Sequence, residues 1–321
     1  MEHSGQGEFV EGLIRRSGAD IRKNGRVFEA ALAAVGNERV PSVSFSQLAE
    51  HLPADKVPFL DRPYVDEAAL TPLQKHWRDK GYVVLPGLIP QTDIDEYECL
   101  RNNLGLGKAM FDNFTPYVEH DVIRRISLKP ALNRAITEIM GQDMGLHFIL
   151  TAYHSTERAW HQDDYLNPDY VCSNYCAVWI SLGHIDPDAG PFEFIEGSHK
   201  WPCVRRHLVH QFMPERHSQI SGDAEGNHWA AYAEVFTNEA YAREIEEHGL
   251  PISQFIARPG DVLIWNGKLV HRGAPPNRME LERPAMISHF SGTKIRSDIG
   301  TDIRRYGEDG GFYWHFEAPK R

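Results

Sequence analysis

Residues 258–273 read RPGDVLIWNGKLVHRG, and this stretch decides the class of fold. A Pro-Gly turn precedes the apolar run at residues 262–265, and a short connection then leads through a second apolar pair to His271. A short apolar run bounded by turn residues is typical of a buried strand. The stretch therefore predicts two short neighbouring strands, with a histidine at the start of the second.

The same alternation of turn residues and short apolar runs recurs through the second half of the chain. Gly, Pro and Asp separate short segments that are rich in β-branched and aromatic residues, a pattern typical of a sandwich, barrel or jelly roll. The predicted strands cover residues 147–153, 175–182, 192–195, 255–257, 262–265 and 286–290.

Helical patterns dominate the first half. Apolar residues recur at roughly helical spacing over residues 8–36. We expect residues 1–70 to form a helical extension, which either packs on the main domain or acts as an arm in a homodimer. A helix is predicted to begin with Thr71 as N-cap and Pro72 at its first position. A strand at 81–85 and helices over 92–104 and 129–140 are predicted to follow.

Composition limits the classes of function. The chain has 321 residues, of which 41% are hydrophobic and 25% charged, so it can bury a large core. Its formal net charge of -11 argues against general binding to nucleic acid or anionic membranes, which require clustered Lys and Arg. The four cysteines match neither a zinc ribbon nor a disulfide framework. With no apolar leader at the N-terminus, these features predict a cytoplasmic enzyme acting on a small molecule.

A second segment contains side chains that can bind a metal ion: Trp160-His161-Gln162-Asp163. His161 and Asp163 are two residues apart, so on an extended chain both side chains project to one side. A His-x-Asp tripeptide is common by chance, but His271 would complete a set of two imidazoles and one carboxylate. That set, with further coordination positions open, is expected for oxygen-activating non-haem Fe(II).

Arg283 lies just before the predicted strand at residues 286–290, downstream of His271. A guanidinium there is well placed to bind a carboxylate in bidentate fashion. The co-substrate 2-oxoglutarate gives one carboxylate and a keto oxygen to iron, which leaves its far carboxylate for such an arginine. Alone, Arg283 would more readily be a surface ion pair; behind the His161, Asp163 and His271 set, the co-substrate role is favoured.

At roughly residues 71–292 the chain resembles the phytanoyl-CoA dioxygenase-like 2-oxoglutarate oxygenases. The resemblance implies a mainly β domain with flanking helices and a double-stranded β-helix (jelly-roll or cupin-like) core. It implies Fe(II) bound by His161, Asp163 and His271, with 2-oxoglutarate and O₂ as co-substrates and Arg283 binding 2-oxoglutarate. The motifs that carry it are DKGYVVLPG at 79–87, WHQD at 160–163, DAGPFEFIEGSH at 188–199, Gly260-Asp261, His271 and Arg283.

The resemblance also implies details of the co-substrate pocket. Residues matching Gln162 and Trp179 line it in such enzymes. Relatives often have a Ser two residues after the distal histidine, where this chain has Gly273, so Ser288 or another hydroxyl is expected to take that role. Halogenases on this scaffold lack the carboxylate ligand, and the presence of Asp163 argues against halogenation.

Two segments outside this core have open interpretations. An insertion at about residues 200–250 is either a lid that contacts substrate or a surface decoration. The tail at 293–321 contains a run of aromatic residues and is expected to pack on the core or on a neighbouring subunit, or to cap the active site. Arg205 and Arg206 lie in a basic strip that either binds an anionic group of the substrate or is a solvated face paired with local carboxylates.

These observations favour hydroxylation of a small metabolite, coupled to decarboxylation of 2-oxoglutarate. Desaturation, epoxidation or cyclisation would use the same cofactor chemistry, and the sequence does not separate them. A cupin-like metal-binding sensor or scaffold without redox turnover is the alternative from another class. Arg283 argues against that alternative, because a scaffold does not need a carboxylate-binding arginine.

Overall fold

The computed structural model describes residues 40–111, 113–213 and 228–316. The helical pattern predicted over residues 8–36 lies outside them. The described part has a mainly β core in which two sheets share one buried cluster, with helices on the outer face of the larger sheet. None of the helices in these three ranges is both long and apolar enough to cross a membrane.

The larger sheet has seven strands in the described part of the chain. Their bounds are β2 (Tyr82–Leu85), β3 (Met144–Ala152), β4 (Tyr175–Ser181), β8 (Val262–Asn266), β10 (Ala285–Gly292), β11 (Ile303–Arg305) and β12 (Phe312–Trp314). Their spatial order is β11-β12-β3-β10-β4-β8-β2. The central strand β10 is antiparallel to both β3 and β4. Its buried apolar side chains are divided between two clusters, one on each face of the sheet.

The smaller sheet has three strands in the described residues. They are β5 (Phe192–Ile195), β7 (Ile252–Phe255) and β9 (His271–Gly273), in the spatial order β7-β5-β9. Phe192 and Phe194 of β5 bury their rings in one cluster with Trp179 and Trp265 from the larger sheet. The two sheets therefore pack face to face, which agrees with the predicted double-stranded β-helix core. They do not close into a barrel.

Helices cover the other face of the larger sheet. They are α2 (Pro72–Lys80), α3 (Gln91–Asn103), α4 (Asp121–Ser127) and α5 (Pro130–Met140). The helix start predicted at Thr71 and Pro72 is confirmed: the Thr71 hydroxyl accepts the Gln74 N–H at 3.2 Å, and the Gln74 side chain accepts the Thr71 N–H. Gly81 ends this helix in the left-handed region, where glycine is favoured.

The insertion and the segment after Val40 form a second apolar cluster beside the sheets. The elements involved are α1 (Phe45–Leu48), β1 (Ala49–Glu50), β6 (Cys203–Val204), α6 (Arg206–Gln211) and α7 (His228–His248). β1 pairs with β6, so residues of the N-terminal extension are joined to the insertion by backbone hydrogen bonds. The insertion thus has a packed base; its action as a lid stays a prediction.

The aromatic tail extends the larger sheet. β12 pairs in parallel with β3, where Phe312 faces Gly145. A side chain at position 145 would not fit, because a Cβ there would lie 2.4 Å from the ring of Trp314. Trp314 is fully buried and donates its indole N–H to the Gly300 carbonyl at 3.1 Å. The tail therefore packs on the core.

Candidate active site

The three side chains predicted as metal ligands meet at one buried point. Ligand atoms of His161, Asp163 and His271 all lie within 4.8 Å of one another. The three residues are only 3%, 4% and 4% exposed. Two imidazoles and a carboxylate that face one point, with no further protein ligand from the described residues in the cluster, leave room for a bidentate co-substrate and dioxygen on non-haem Fe(II). The donor set therefore fits iron.

A short antiparallel bridge brings the two histidines together. The His161 N–H donates to the His271 carbonyl at 3.0 Å, and the His271 N–H donates back to the His161 carbonyl at 3.0 Å. The two ring centroids are 4.2 Å apart. Because side chains alternate along an extended chain, Asp163 falls on the same side as His161. Backbone pairing thus assembles ligands that lie far apart in sequence.

Backbone carbonyls orient both imidazoles. The Nδ1 atom of His161 lies 2.6 Å from the Ala159 carbonyl oxygen, and that of His271 lies 2.8 Å from the Leu269 carbonyl oxygen. A carbonyl oxygen can only accept, so each Nδ1 carries a hydrogen and each Nε2 presents a lone pair. The Nε2 atoms lie 3.3 and 3.7 Å from the Asp163 carboxylate. This orientation is the one that metal binding through Nε2 requires.

The protonation states also suit a metal ligand set. Burial and the neighbouring His161 lower the pKa of His271 to about 3. Burial raises the pKa of Asp163, but its electrostatic interaction with His271 and the hydrogen bond and electrostatic interaction with His161 together outweigh burial and hold this pKa well below its usual range. At neutral pH, His271 is therefore neutral and Asp163 is ionised, the forms in which both bind metals.

Two aromatic side chains hold the ligands in place from outside the cluster. The indole N–H of Trp265 donates to Oδ2 of Asp163 at 3.0 Å. The ring of Phe192 stacks on His271, with centroids 5.0 Å apart and planes inclined by 22°. Trp265 ends the apolar run that predicts β8, but its link to Asp163 follows only from the pairing of the sheets.

Replacing Trp265 with phenylalanine should weaken Fe(II) binding by about tenfold or more, because the carboxylate of Asp163 loses the donor that orients it. Anaerobic Fe(II) titration measures this change. Trp314→Phe is the matched control, since it also removes a buried indole hydrogen bond, but to Gly300. Equal Fe(II) affinities in the two variants would show that the indole of Trp265 only fills space and does not orient Asp163.

Arg283 is a buried cation without an acidic partner among the described residues. It is 1% exposed, and one N–H of its guanidinium donates to the Gly190 carbonyl at 2.9 Å. Its Nε has no hydrogen-bond partner within the described residues. Burial lowers the pKa of Arg283 to about 9. A buried guanidinium with unused donors is suited to bind an anionic group, and its role in binding 2-oxoglutarate stays a prediction here.

Trp179 connects this cation to the metal cluster. The Arg283 guanidinium carbon lies 4.5 Å from the centroid of the Trp179 ring. Trp179 pairs with Leu263 on β8, and Trp265 lies two positions further along the same face of that strand. Two residues of strand span about 7 Å. Trp179 and Trp265 thus lie side by side on one face of the sheet, the first against Arg283 and the second bonded to Asp163.

Two predicted co-substrate residues face elsewhere. The side-chain amide of Gln162 donates to the Lys268 carbonyl at 2.9 Å and accepts the Val204 N–H at 2.9 Å. Gln162 therefore anchors the insertion behind the ligands. The Ser288 hydroxyl donates to Ser127 of α4 at 3.0 Å, on the helix-covered face of the sheet. Both placements correct the prediction: these side chains point away from the pocket at Arg283.

The predicted substrate-binding arginines are engaged locally. Arg205 is buried, with Nε 3.2 Å from Asp169 and 3.5 Å from Glu50, and it donates to the Asp169 carbonyl at 2.6 Å. The Arg206 guanidinium carbon lies 4.8 Å from the ring centroid of Trp229 on α7. These contacts support the alternative interpretation, a basic strip paired with local groups.

One ion pair near the metal ligands was not predicted from the sequence. Arg158 contacts Glu234 of α7, with Nη2 2.6 Å from Oε1. Burial lowers the pKa of Arg158, but Glu234, Tyr165 and Asp163 together raise it above the usual value. The pair joins the insertion helix to the loop that carries the ligands. No sequence signal linked residues so far apart.

Buried histidines make the metal-free protein sensitive to acid. Burial is the largest cause that lowers the pKa of His199 and of His289 to about 4, and it holds the pKa of His147 well below 6.5. Below about pH 6.5 these histidines bind protons in the unfolded chain but stay neutral in the native state. Each such histidine then removes about 1.4 kcal/mol of stability per pH unit as pH falls towards 4.

Urea denaturation should therefore give a much lower free energy of unfolding at pH 5 than at pH 7. His199→Gln cannot titrate and should reduce that slope by about 1.4 kcal/mol per pH unit. Equal stability at both pH values would contradict this account of the buried histidines.

The fold and the ligand cluster define a non-haem iron oxygenase of cupin-like architecture. Residues 77–285 match the family model described as phytanoyl-CoA dioxygenase. The match covers well over half of the chain, which therefore belongs to the phytanoyl-CoA dioxygenase family. No curated protein matches the chain significantly. Together with the His–Asp–His cluster, family membership confirms the predicted Fe(II) cofactor and the co-substrates 2-oxoglutarate and O₂.

Solved structures support the same fold. EctD from S. alaskensis, with 2-oxoglutarate and 5-hydroxyectoine, is similar with a TM-score of 0.53 at 16% identity, covering 80% of this chain and 87% of that chain. The epimerase SnoN, in complex with Fe3+, alpha ketoglutarate and nogalamycin RO, gives a TM-score of 0.50 at 19% identity, covering 71% of this chain and 85% of that chain. At these identities the similarity concerns the fold.

Proposed function

We propose that the protein hydroxylates a small metabolite, using Fe(II), 2-oxoglutarate and O₂. One observation carries the proposal: the buried guanidinium of Arg283 has no acidic partner among the described residues and packs on Trp179, in the same apolar cluster as Trp265, which hydrogen-bonds Asp163. Burying a cation is costly unless an anion joins it. A metal-binding scaffold gains nothing from such a cation, whereas a 2-oxoglutarate enzyme requires one.

Each group in the site has a part in this reaction. His161, Asp163 and His271 would hold the iron through two imidazoles and one carboxylate. Arg283 binds the far carboxylate of 2-oxoglutarate and so directs its keto acid end towards the iron. Trp179 forms an apolar wall beside Arg283 that excludes water. Bound Fe(II) supplies the redox chemistry that couples decarboxylation of 2-oxoglutarate to oxidation of the substrate.

The overall reaction balances as substrate, 2-oxoglutarate and O₂ giving hydroxylated substrate, succinate and CO₂. One oxygen atom enters succinate and the other enters the product. The net charge of -11 favours a small molecule as the substrate. An anionic group on that substrate has no support from Arg205, whose charge is taken up by Asp169 and Glu50.

Labelled dioxygen tests the proposal. The iron-loaded protein, given 2-oxoglutarate and a library of small metabolites, should form succinate that contains one labelled oxygen atom. A metabolite that accelerates succinate formation should gain the other labelled atom as a hydroxyl group. Absence of succinate under all conditions would refute the oxygenase function.

A second outcome of the same chemistry is distinguishable in this experiment. Desaturation, epimerisation or cyclisation would also release labelled succinate, but without a labelled hydroxyl group on the product. In that result the cofactor assignment would stand and hydroxylation would be replaced. SnoN, which shares the fold, is an epimerase, and this motivates including the second outcome.

A further inference from the structure

A row of paired residues crosses the inner face of the larger sheet beside the metal ligands. Phe148 of β3 pairs with His289 of β10, which in turn pairs with Ala177 of β4. Ala177 pairs with Trp265 of β8. Side chains of directly paired residues lie on the same face of a sheet, and Trp265 donates to Asp163, so this face is the one that meets the metal ligands. His289 therefore faces the site, separated from Trp265 in the row by the methyl group of Ala177.

Aromatic rings continue this row to the surface. The ring of Phe148 stacks on that of Phe114, with centroids 4.6 Å apart, and meets the ring of His289 edge-on at 4.9 Å. Phe114 is 51% exposed, whereas Phe148 and His289 are partly buried. Such rings beside a buried site are suited to an aromatic or other apolar ligand. Phe114, Phe148 and His289 thus form an aromatic wall that leads from solvent towards the metal ligands.

The hydrogen-bonding state of His289 follows from its neighbour Tyr175. The Tyr175 hydroxyl contacts Nδ1 of His289 and has no other hydrogen-bond partner among the described residues. Tyr175 is only 4% exposed, and a buried phenolic O–H needs an acceptor. Nδ1 is the acceptor that it contacts, so the hydrogen of the imidazole is on Nε2.

The Nε2–H of His289 is a donor without an acceptor. This nitrogen is buried and has no hydrogen-bond partner in the described ranges. Asp163 and His161 lie close enough to His289 to interact with it electrostatically, which agrees with its place in the row beside Trp265. Burying such a donor without an acceptor is unfavourable, so an oxygen atom of a bound molecule would stabilise it.

We infer that the aromatic wall is the substrate side of the active site, and that the Nε2–H of His289 donates to an oxygen atom of a ring-bearing substrate. This inference rests on the proposed function and names its substrate class: a molecule with a flat apolar ring and a carbonyl or similar oxygen beside that ring. The ring packs on Phe148, and the oxygen accepts from His289.

The proposed co-substrate residues lie in a different direction. Trp179, which packs on Arg283, and Tyr175, which bonds to His289, lie two residues to either side of Ala177 along β4. Side chains at alternate positions of a strand share one face, so both point to the inner side of the sheet. The substrate and 2-oxoglutarate would therefore approach the metal ligands from different sides.

The test compares two probes of similar shape. Acetophenone has a carbonyl oxygen that accepts a hydrogen bond, and α-methylstyrene has a methylene group in place of that oxygen. Equilibrium dialysis under anaerobic conditions, with protein loaded with Fe(II) and 2-oxoglutarate, gives both dissociation constants. Their ratio is compared between variants, because the difference in hydration of the two probes is then the same throughout.

His289→Phe keeps a ring in the wall and removes the donor. It should shift the ratio against acetophenone by about fivefold or more, because the carbonyl oxygen is then buried without a partner. His199→Phe is the matched control: Nδ1 of His199 is also buried without a partner in the described residues, but its ring packs on Gly81. That variant should keep the wild-type ratio, and both variants should keep the affinity for 2-oxoglutarate.

Phe148→Leu separates the wall from the donor. It should weaken both probes and keep their ratio, since it removes only ring packing. An unchanged ratio in His289→Phe, unchanged affinities in Phe148→Leu, or a wild type that binds neither probe would overturn the inference. Weaker 2-oxoglutarate binding in His289→Phe would also overturn it, by assigning the donor to the co-substrate. If the wild type binds no 2-oxoglutarate at all, the proposed function itself fails.

Discussion

Replacing Arg283 with methionine should abolish tight binding of 2-oxoglutarate and leave the free protein at least as stable as before. Loss of one partner from a buried charge pair costs about 2–5 kcal/mol, which raises the dissociation constant about 30-fold or more. In the absence of the co-substrate, however, the guanidinium is buried without an acidic partner among the described residues. Removing such a cation is neutral or stabilising.

The two effects are measured by titration with 2-oxoglutarate and by urea denaturation. Arg101→Met is the matched control: Arg101 is also fully buried, but it donates to the carbonyls of Gly107 and Ala109 and to the hydroxyl of Tyr97. That variant should lose stability and keep its affinity for 2-oxoglutarate. If Arg283→Met instead lost stability and kept the affinity, Arg283 would be a structural residue.

Asp163→Asn should lower the affinity for Fe(II) by at least about 100-fold and remove turnover. Loss of groups that merely orient a ligand already costs about 10–100-fold, and here the ligand itself loses its charge. The fold should persist, because an asparagine oxygen can still accept the indole N–H of Trp265. Anaerobic Fe(II) titration and the rate of succinate formation measure the two losses.

The adjacent residue provides the control. Asp164 is equally buried, but its carboxylate accepts the Ser173 N–H at 2.9 Å and the Cys203 thiol at 3.3 Å, away from the metal ligands. Burial is the largest cause that raises the pKa of Asp164. Asp164→Asn should bind Fe(II) as the wild type does. Similar Fe(II) affinities for Asp163→Asn and Asp164→Asn would remove Asp163 from the ligand set.

The ligand set was predictable because several sequence features occur together, although a His-x-Asp pair alone is common by chance. His161 and Asp163 lie two apart on extended chain, and His271 begins a strand after a Pro-Gly turn and a buried apolar run. The same alternation also shows where the prediction for Gln162 was wrong. A residue between two ligands on an extended chain faces away from the metal, and Gln162 instead bonds to Lys268 and Val204.

Ser288 was misplaced for a different reason. Seven of the eight residues of β10 are buried, so both faces of the strand are apolar or occupied and no alternation indicates which face meets the site. Only the packing of β10 against α4 places Ser288 beside Ser127. For a central strand of this kind, the sequence does not show which side chains face the site.

The bounds of an edge strand and the partners of a long-range ion pair also could not be predicted from the sequence. The strand predicted at 255–257 is observed as β7 (Ile252–Phe255), an edge strand with two of its four residues exposed, whose position is fixed by pairing with β5. Arg205 finds its partners in Asp169 and Glu50, which lie on different segments. Neither feature has a local signature, since both arise from contacts between distant parts of the chain.

Anaerobic titration of the metal-free protein, first with Fe(II) and then with 2-oxoglutarate, tests the central claim most directly. A visible charge-transfer band of the iron chelate should develop in the wild type, weaken in Arg283→Met at the same co-substrate concentration, and vanish in Asp163→Asn. If Fe(II) binds and no band develops on saturation with 2-oxoglutarate, the site is a metal centre without this co-substrate, and the oxygenase account is contradicted.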